Sequence, residues 1–303
     1  MSDQSYQPTL SQLRAFAAVA EHRHFRTAAT RLNVSQPTLS QALAALEQGL
    51  GVQLIERSTR RVLVTEAGRR LLPHAVAVLD AADRFTAAAA GIGERLAGPL
   101  RMGMIPTVAP YVLPTLLPML ARDVPGLELQ VVEHQTATLL DRLRAGALDV
   151  AVVALPAATA GIDEIALFDE PFVLVVPPDH QLAGRKRVRP DVLAGLPLLL
   201  LDEGHCLRDQ ALDLCRTVGA HPGGVGDTRA ASLGTVVQCV AGGLGVTLVP
   251  EMALDVETAR ADLGIVRFAD PAPGRTIGLV FRTSSARRED YEYLARVLRG
   301  VRA

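Results

Sequence analysis

The sequence predicts an α/β protein in two parts, a helical first part and a longer part in which strands alternate with helices. Between Thr9 and Ala90 apolar residues recur at helical spacing, whereas from Leu100 onward short apolar runs separate helical patterns. The 303 residues are 49% hydrophobic and 21% charged, which excludes a disordered chain and allows two or three folded units. No apolar run reaches the roughly 18 residues that a membrane span needs.

The first seventy residues contain a pattern of short helices joined by a tight turn. Apolar spacing predicts helices over Thr9–Glu21 and Thr27–Leu32. Ser35 is a good N-cap and Pro37 is tolerated in a first turn, so a third helix should continue over Thr38–Gln48. Two short helices, the second with polar residues in its first turn, are typical of a helix-turn-helix that reads DNA. The predicted contacts to bases or phosphates are Ser35, Gln36, Pro37, Thr38, Ser40 and Gln41.

A basic turn flanked by strand-like residues follows, and it predicts a β-wing beside the helices. Residues 1–70 hold nine arginines and five acidic residues, a local balance of +4 in a chain whose net charge is −1. Arginine in a wing suits contact with DNA phosphates or the minor groove. The alternative interpretation is a small helical domain with a solvated basic face. The predicted wing contacts are Arg57, Thr59, Arg60 and Arg61.

Thr65 is expected to cap a long amphipathic helix that runs to about Ala90. The head offers no surface large enough to cover its apolar face, so the helix should form a dimer. Pro73 should kink this helix or make it begin later. Glycines after residue 90 mark a hinge. The apolar face consists of Leu72, Val76, Leu79, Ala82 and Phe85.

The longer part predicts an open α/β fold in two halves. Stretches near Ala157–Asp163 and Asp270–Gly274 look like paired crossovers, as in the clamp of periplasmic binding proteins, where a ligand lies in the cleft. The predicted strands are Leu100–Ile105, Leu127–Glu133, Val150–Leu155, Phe172–Val176, Leu198–Leu201, Thr247–Val249 and Thr276–Phe281. The predicted helices are Val112–Arg122, Thr136–Ala145, Leu207–Val218, Leu233–Ala241 and Arg287–Arg302.

These patterns give a domain organisation. Residues 1–66 should form the winged helix-turn-helix, 67–97 the linker helix with a hinge, and 98–303 the longer α/β domain. Within that domain, sub-domain I takes in about 98–163 and 271–303, and sub-domain II about 164–270.

Enzyme and metal signatures are missing from the sequence. There is no Gly-x-Ser-x-Gly elbow, P-loop, dinucleotide fingerprint or His-Glu-x-x-His motif. The seven histidines show no metal-ligand spacing with Cys206, Cys215 and Cys239. We therefore expect no enzyme, no cofactor and no metal site.

The head resembles the DNA-binding domain of LysR-type transcriptional regulators, and the remainder resembles their regulatory domain. The resemblance implies double-stranded promoter DNA as ligand, assembly as a homodimer or homotetramer, and RNA polymerase as a partner, without a membrane. The matching residues between Thr9 and His74 are Phe16, Ala28, Ala29, Leu32, Ser35–Ser40, Leu46, Glu47, Gly51, Leu54, Arg57, Thr65 and Gly68.

Residues 204–211, Gly-His-Cys-Leu-Arg-Asp-Gln-Ala, resemble the peroxide-sensing motif of the OxyR group within this family. Similar stretches at residues 105–108, 135–136, 167–171 and 275–280 extend the resemblance nearly end to end. It implies a regulator of the oxidative-stress response that senses hydrogen peroxide, with Cys206 as the peroxidatic and Cys215 as the resolving cysteine. The residues that it places at the peroxide or the thiolate are Thr107, Thr136, His205 and Arg275, with Arg208 and Asp209 beside them.

The spacing of the two cysteines agrees with a switch. On one continuous helix, nine residues would separate Cys206 from Cys215 by about 13 Å along the axis, on opposite faces. A disulfide needs Cα atoms roughly 4.4–6.8 Å apart, so bond formation would require the helix to unwind. Cys206 begins a helix, where backbone N–H groups favour a thiolate. Peroxide would give a sulfenic acid that Cys215 resolves to a disulfide, while Cys239 is expected in the core.

Two other functions remain open from the sequence. One is a LysR-type regulator that responds to a small metabolite in the cleft, with incidental cysteines. The other is a thiol peroxidase with an appended DNA-binding head, which is disfavoured because no reductant site is recognisable. Three cysteines are too few for a secreted disulfide scaffold, and residues 1–10 lack a signal-peptide pattern, so a cytoplasmic location is expected.

Overall fold

The N-terminal head is built from short helices and a β-hairpin. The computed structural model describes residues 6–57, 62–90, 96–219 and 229–301. Ser35 caps the third helix by accepting from the backbone N–H of Thr38, and Pro37 lies in its first turn, as predicted. The second helix begins at Phe25, two residues earlier than predicted, because the His24 ring accepts from the backbone of Thr27. The elements are α1 (Leu10–His22), α2 (Phe25–Arg31), α3 (Gln36–Leu50), β1 (Ile55–Arg57) and β2 (Val62–Val64).

The hairpin is tied to α3 by a carboxylate. The Glu47 side chain accepts from the backbone N–H groups of Leu54 at 2.8 Å and Ile55 at 2.9 Å. Both of these residues are fully buried, and they complete the apolar core of the head. The carboxylate therefore satisfies two donors that would otherwise be buried without an acceptor.

The linker helix α4 (Glu66–Ala90) is continuous and contains Pro73. Thr65 caps it by accepting from the backbone N–H of Gly68 at 3.0 Å. The alternative in which the helix begins after Pro73 is therefore wrong.

The apolar face of α4 is covered over its first turns. Leu72 and Val76 are buried in the core of the head, because this end of α4 lies against α1. The expectation that the head leaves the whole face uncovered is wrong for these two residues. Phe85, nearer the end of the helix, is 81% exposed.

The C-terminal part combines a mixed sheet with surrounding helices. Its strands are β3 (Gly98–Met104), β4 (Leu127–Glu133), β5 (Val150–Leu155), β6 (Ile162–Val176), β7 (Arg187–Val188), β8 (Leu200–Leu201), β9 (Arg229–Ala230), β10 (Thr247–Pro250), β11 (Gly264–Phe268) and β12 (Gly274–Arg282). Its helices are α5 (Ala109–Asp123), α6 (Thr136–Arg144), α7 (Cys206–Thr217), α8 (Leu233–Ala241), α9 (Leu254–Glu257) and α10 (Arg288–Gly300). None of the helices in the described ranges combines the length and the hydropathy of a membrane span.

The strand order of the sheet is β4-β3-β5-β12-β6-β11-β7, with β10 also paired to β6. The first part of β6 pairs with β12, from Ile162 opposite Arg282 to Pro171 opposite Gly274, and its last part pairs with β10 and β11. We call the side built on β3, β4, β5 and β12 the first half and the side built on β7, β10 and β11 the second half. The strand β6 was predicted to begin only at Phe172, and β7, β9, β11 and α9 were not predicted.

The linker helix also contacts the first half. Arg282, at the end of β12, is 3% exposed and donates to Asp80 of α4 at 2.7 Å. Its guanidinium also donates to two backbone carbonyls at the end of α6 and just after it. Gly146 has a φ of +70°, and the Val76 side chain occupies the space that a Cβ at Gly146 would need. An ion pair with a buried arginine and a close glycine contact therefore hold α4 against the first half.

Replacing Glu47 by alanine should destabilise the head. The N–H groups of Leu54 and Ile55 would lose their acceptor, and an unsatisfied buried donor costs about 1–3 kcal/mol. We expect a lower urea midpoint for the helical signal of the full-length protein. Glu56→Ala is the matched control, because Glu56 is exposed on the same hairpin and its loss should change stability by less than about 0.5 kcal/mol. Equal midpoints for the two variants would contradict this role of Glu47.

Candidate functional site

Both cysteines of the predicted switch lie on α7. Cys206 is the first residue of this helix and is half-buried, whereas Cys215 is 1% exposed. Both are free thiols. The helix is continuous between them, so nine residues separate them by about 13 Å along the axis. A disulfide therefore cannot form unless α7 unwinds.

Helical spacing explains why α7 buries one thiol more than the other. Leu207, Ala211 and Cys215 recur every four residues and form its buried stripe. Ala211 and Cys215 pack in an apolar cluster of the second half, together with Leu174. Cys206 lies on the opposite face and packs against the apolar core of the first half. The two thiols therefore contact different halves of the domain.

The two thiols also differ in electrostatic environment. Burial raises the pKa of the Cys215 thiol, because its thiolate would lose hydration. Cys215 therefore stays protonated and unreactive at neutral pH. Cys206 lies in the first turn of α7, where backbone N–H groups without helical partners favour negative charge.

A buried cluster of Thr107, Glu170 and Arg275 lies where the residues after β3 meet β6 and β12. The Arg275 guanidinium donates from Nε to Glu170 Oε2 at 2.9 Å and from Nη1 to Thr107 Oγ1 at 2.7 Å. It also donates from Nη2 to the Thr107 carbonyl at 2.9 Å. The side chains of Arg275 and Glu170 are 0% exposed. The structure thus brings the predicted residues Thr107 and Arg275 into direct contact.

The starts of α6 and α7 are held together. Thr136 is the first residue of α6, and its buried Oγ1 has no hydrogen-bond partner among the described residues. The preceding Gln135 donates to the backbone carbonyl of Glu203 at 3.0 Å. Its side chain also lies against Gly204, whose φ of +89° favours glycine. These contacts fix the start of α6 beside the turn that leads into Cys206.

A cavity of about 270 Å³ lies beside these residues and is lined in part by Thr107, Tyr111 and His205. His205 is 8% exposed and directly precedes Cys206. The Tyr111 hydroxyl donates to Glu257 Oε1 at 2.6 Å and joins α5 of the first half to α9. Burial and this carboxylate raise the pKa of Tyr111, so the phenol stays protonated. Thr107, Tyr111 and His205 supply polar groups to the lining of this cavity.

The remaining predicted redox residues lie on the first turn of α7. Arg208 donates from Nη1 to the backbone carbonyl of Leu201 at 3.1 Å, which braces the helix start against β8. Asp209 is exposed. Sequence reasoning did not name Glu170 or Gln135 as site residues. Glu170 could have been found from the sequence, because it is an acidic residue inside the stretch 167–171 that resembles the OxyR group.

The predicted DNA-reading residues share one exposed surface at the start of α3. Leu39 is buried beneath this surface, and Ser40 is half-buried. Arg57 is the last residue of β1, whereas Thr59, Arg60 and Arg61 lie outside the described residues. The exposed residues are Ser35, Gln36, Pro37, Thr38 and Gln41.

Comparison with known proteins identifies the family. Residues 10–69 match the bacterial regulatory helix-turn-helix of the lysR family, and residues 93–303 match the LysR substrate binding domain. A Mycobacterium leprae protein described as "Probable hydrogen peroxide-inducible genes activator" is 61% identical over 298 residues, 98% of this chain and 96% of that protein. The "DNA-binding transcriptional dual regulator OxyR" of Escherichia coli is 44% identical over 292 residues, 96% of this chain and 94% of that protein.

Solved structures of similar proteins share the full-length fold. Full-length OxyR of Pseudomonas aeruginosa with a cysteine-to-aspartate substitution has a TM-score of 0.83 at 38% identity, covering 97% of this chain and 95% of that one. A cysteine-to-serine variant of Corynebacterium glutamicum OxyR with hydrogen peroxide bound has a TM-score of 0.69 at 51% identity, covering 98% and 94%. The predicted fold class, a helix-turn-helix head followed by an α/β regulatory domain, is confirmed. The chain belongs to the LysR family of transcriptional regulators and, within it, to the OxyR-like group.

Proposed function

We propose that this chain regulates transcription in the oxidative-stress response by sensing hydrogen peroxide through Cys206 and Cys215. One observation carries the proposal: the two thiols lie nine residues apart on one helix and contact different halves of the regulatory domain. A bond between them has to change the structure of that domain, as a switch requires. Relatives named for peroxide-inducible gene activation and for OxyR support the same function.

The proposed chemistry uses only peroxide and the two thiols. The Cys206 thiolate attacks one peroxide oxygen, the S–O bond forms as the O–O bond breaks, and the second oxygen leaves as water after taking up a proton. The Cys215 sulfur, once deprotonated, attacks the sulfur of the sulfenic acid at Cys206. The S–S bond forms, and the hydroxyl group leaves as a second water. Peroxide accepts the two electrons that the thiol pair loses.

The surrounding side chains have proposed roles in the first step. Thr107 accepts from Arg275 and keeps its own hydrogen for a peroxide oxygen. The buried Thr136 hydroxyl, which lacks a partner among the described residues, can donate in the same way. His205 is the proposed proton donor to the departing oxygen. Arg208 holds the start of α7 in place. Asp209 belongs to the same proposed set, although no contact among the described residues assigns it a step in the reaction.

The proposed partners are double-stranded promoter DNA, further copies of the chain and RNA polymerase. The exposed polar start of α3 suits a major groove, and the wing arginines suit phosphates or the minor groove. Exposed Phe85 on α4 supports assembly as a dimer or tetramer. The domain division at 1–66, 67–97 and 98–303, the cytoplasmic location and the absence of enzymatic turnover belong to the same proposal.

A second candidate function rests on a cavity of about 730 Å³. It lies between β6, β12 and α7 and is lined in part by Asp169, Gln210 and Thr276. Its size and polar lining suit a small metabolite, which would make the chain a metabolite-responsive LysR regulator. In that case the response to peroxide would not depend on Cys206.

Replacing Cys206 by serine should abolish the change in DNA footprint that peroxide causes. Cys215→Ser should leave Cys206 reactive but stop it at a sulfenic acid, because no resolving thiol remains. The measurement is mass mapping of both positions after peroxide and dimedone, alongside footprinting of the same samples.

Cys239→Ser is the matched control, because Cys239 is a half-buried free thiol on α8, outside the proposed switch. It should keep both the Cys206–Cys215 bond and the footprint change. A Cys206→Ser protein whose footprint still responds to peroxide would favour the metabolite-responsive function instead.

Two substitutions in the head should separate base reading from phosphate contact. Thr38→Ala should relax sequence specificity, because Thr38 is exposed in the first turn of α3. Arg60→Ala should weaken binding to all sequences and reduce the salt slope by about 1. Fluorescence anisotropy at several salt concentrations measures both effects. Arg185→Ala, an exposed arginine of the regulatory domain, should change neither, and an unaltered salt slope for Arg60→Ala would contradict the wing assignment.

A further inference from the structure

We infer that Glu170 is a positioning residue for the peroxide reaction, which holds Arg275 against Thr107 and links that contact to the second half of the domain. The inference rests on the proposed function, since it concerns the same site. In the described part of the chain, Glu170 bonds to Arg275 and to the backbone of Met252 rather than to a cysteine, so it acts through Arg275.

The ion pair between Glu170 and Arg275 fixes the orientation of the guanidinium. Glu170 on β6 and Arg275 on β12 are directly opposite each other in the strand pairing. Their side chains meet at 2.9 Å, and both are 0% exposed. Solvent screening is therefore absent, and the carboxylate fixes the plane of the guanidinium.

Arg275 in turn sets the direction of the Thr107 hydroxyl. Two guanidinium nitrogens of Arg275 donate to Thr107, one to its hydroxyl oxygen and one to its carbonyl. Because Arg275 can only donate, the Thr107 hydroxyl must accept from it and keep its own hydrogen for another acceptor. Accepting from a cation also makes that hydroxyl a stronger donor. Thr107 lines the cavity beside His205, where a peroxide oxygen is the proposed acceptor.

The negative charge of Glu170 keeps Arg275 in this position. Without the carboxylate, a fully buried guanidinium would have no counterion in this cluster. Arg275 would then turn toward water or another acceptor, and Thr107 would lose the partner that orients its hydroxyl. The rate of peroxide reduction would fall although Cys206 and Thr107 were both unchanged.

The other oxygen of Glu170 reaches across the domain. Oε1 accepts from the backbone N–H of Met252 at 3.0 Å, in the short turn between β10 and α9. One carboxylate thus connects β12, β6 and the turn after β10. The orientation of Thr107 therefore depends on how the second half sits against β6.

The test compares two reactions of the same thiol in the full-length protein. In a Cys215→Ser, Cys239→Ser background, Cys206 is the only thiol, and its rate constants with hydrogen peroxide and with iodoacetamide are measured separately. Glu170→Gln keeps the shape of the side chain and removes its charge. We expect the peroxide rate constant to fall at least about tenfold, as for a lost transition-state donor, while the alkylation rate constant changes by less than about twofold. A merely structural role would move both rate constants together or neither.

The controls separate failure of this inference from failure of the proposed function. Glu164→Gln changes an exposed carboxylate on the same strand, which accepts from the backbone N–H groups of Ala157 and Ala158, and should leave both rate constants unchanged. Thr107→Val should slow only the peroxide reaction. If Thr107→Val has no effect, the proposed peroxide site is wrong. If Thr107→Val slows the reaction and Glu170→Gln does not, the role of Glu170 alone is overturned.

A double variant covers the case in which Glu170→Gln unfolds. Glu170→Gln with Arg275→Met removes both charges of the buried pair, which restores a neutral interior. We expect this folded double variant to remain slow with peroxide and normal with iodoacetamide. Recovery of the peroxide rate constant would show that the pair serves only stability and would overturn the inference.

Discussion

The reduced structure depends on the continuity of α7, because one unbroken helix keeps the two switch thiols apart. The stripe of Leu207, Ala211 and Cys215 anchors the helix in the second half, whereas Cys206 faces the core of the first half. The helix thus connects both sides of the domain while it holds the two sulfurs on opposite faces. Any reaction that joins the sulfurs must release at least one of these two packing contacts.

The energetics of this arrangement favour two distinct states. Burial of one leucine side chain contributes about 1.5–3 kcal/mol, so withdrawing Leu207, Ala211 and Cys215 from the core is costly for the reduced protein. The same packing keeps Cys215 protonated, and it stays inert until α7 opens. Because the disulfide closes only a short loop, closure itself adds a modest entropic cost. In the proposed switch, oxidation therefore supplies the free energy for a rearrangement that the reduced protein disfavours.

Local signals in the sequence predicted much of this structure. Contacts between residues far apart in the sequence could not be predicted from such signals. Ser35 and Pro37 specify the start of α3 through capping chemistry, and helical spacing alone put the two cysteines on opposite faces. The first part of β6 was missed because Asp163, Glu164 and Asp169 interrupt its apolar pattern at exposed or half-buried positions. The partnership of Glu170 with Arg275 joins residues 105 positions apart, so no local pattern carries it. The burial of Leu72 and Val76 was not predicted, because it depends on how α4 packs against α1.

Hydrogen exchange of α7 before and after peroxide tests the central claim most directly. The measurement follows the backbone amides of residues 206–217 by mass spectrometry, in samples whose disulfide content is mapped in parallel. If the two thiols can join only when the helix unwinds, the amides of this segment lose protection as the Cys206–Cys215 bond appears, and Cys206→Ser shows no such loss. A protein that is fully cross-linked between Cys206 and Cys215 and yet retains the protection of α7 would contradict the account.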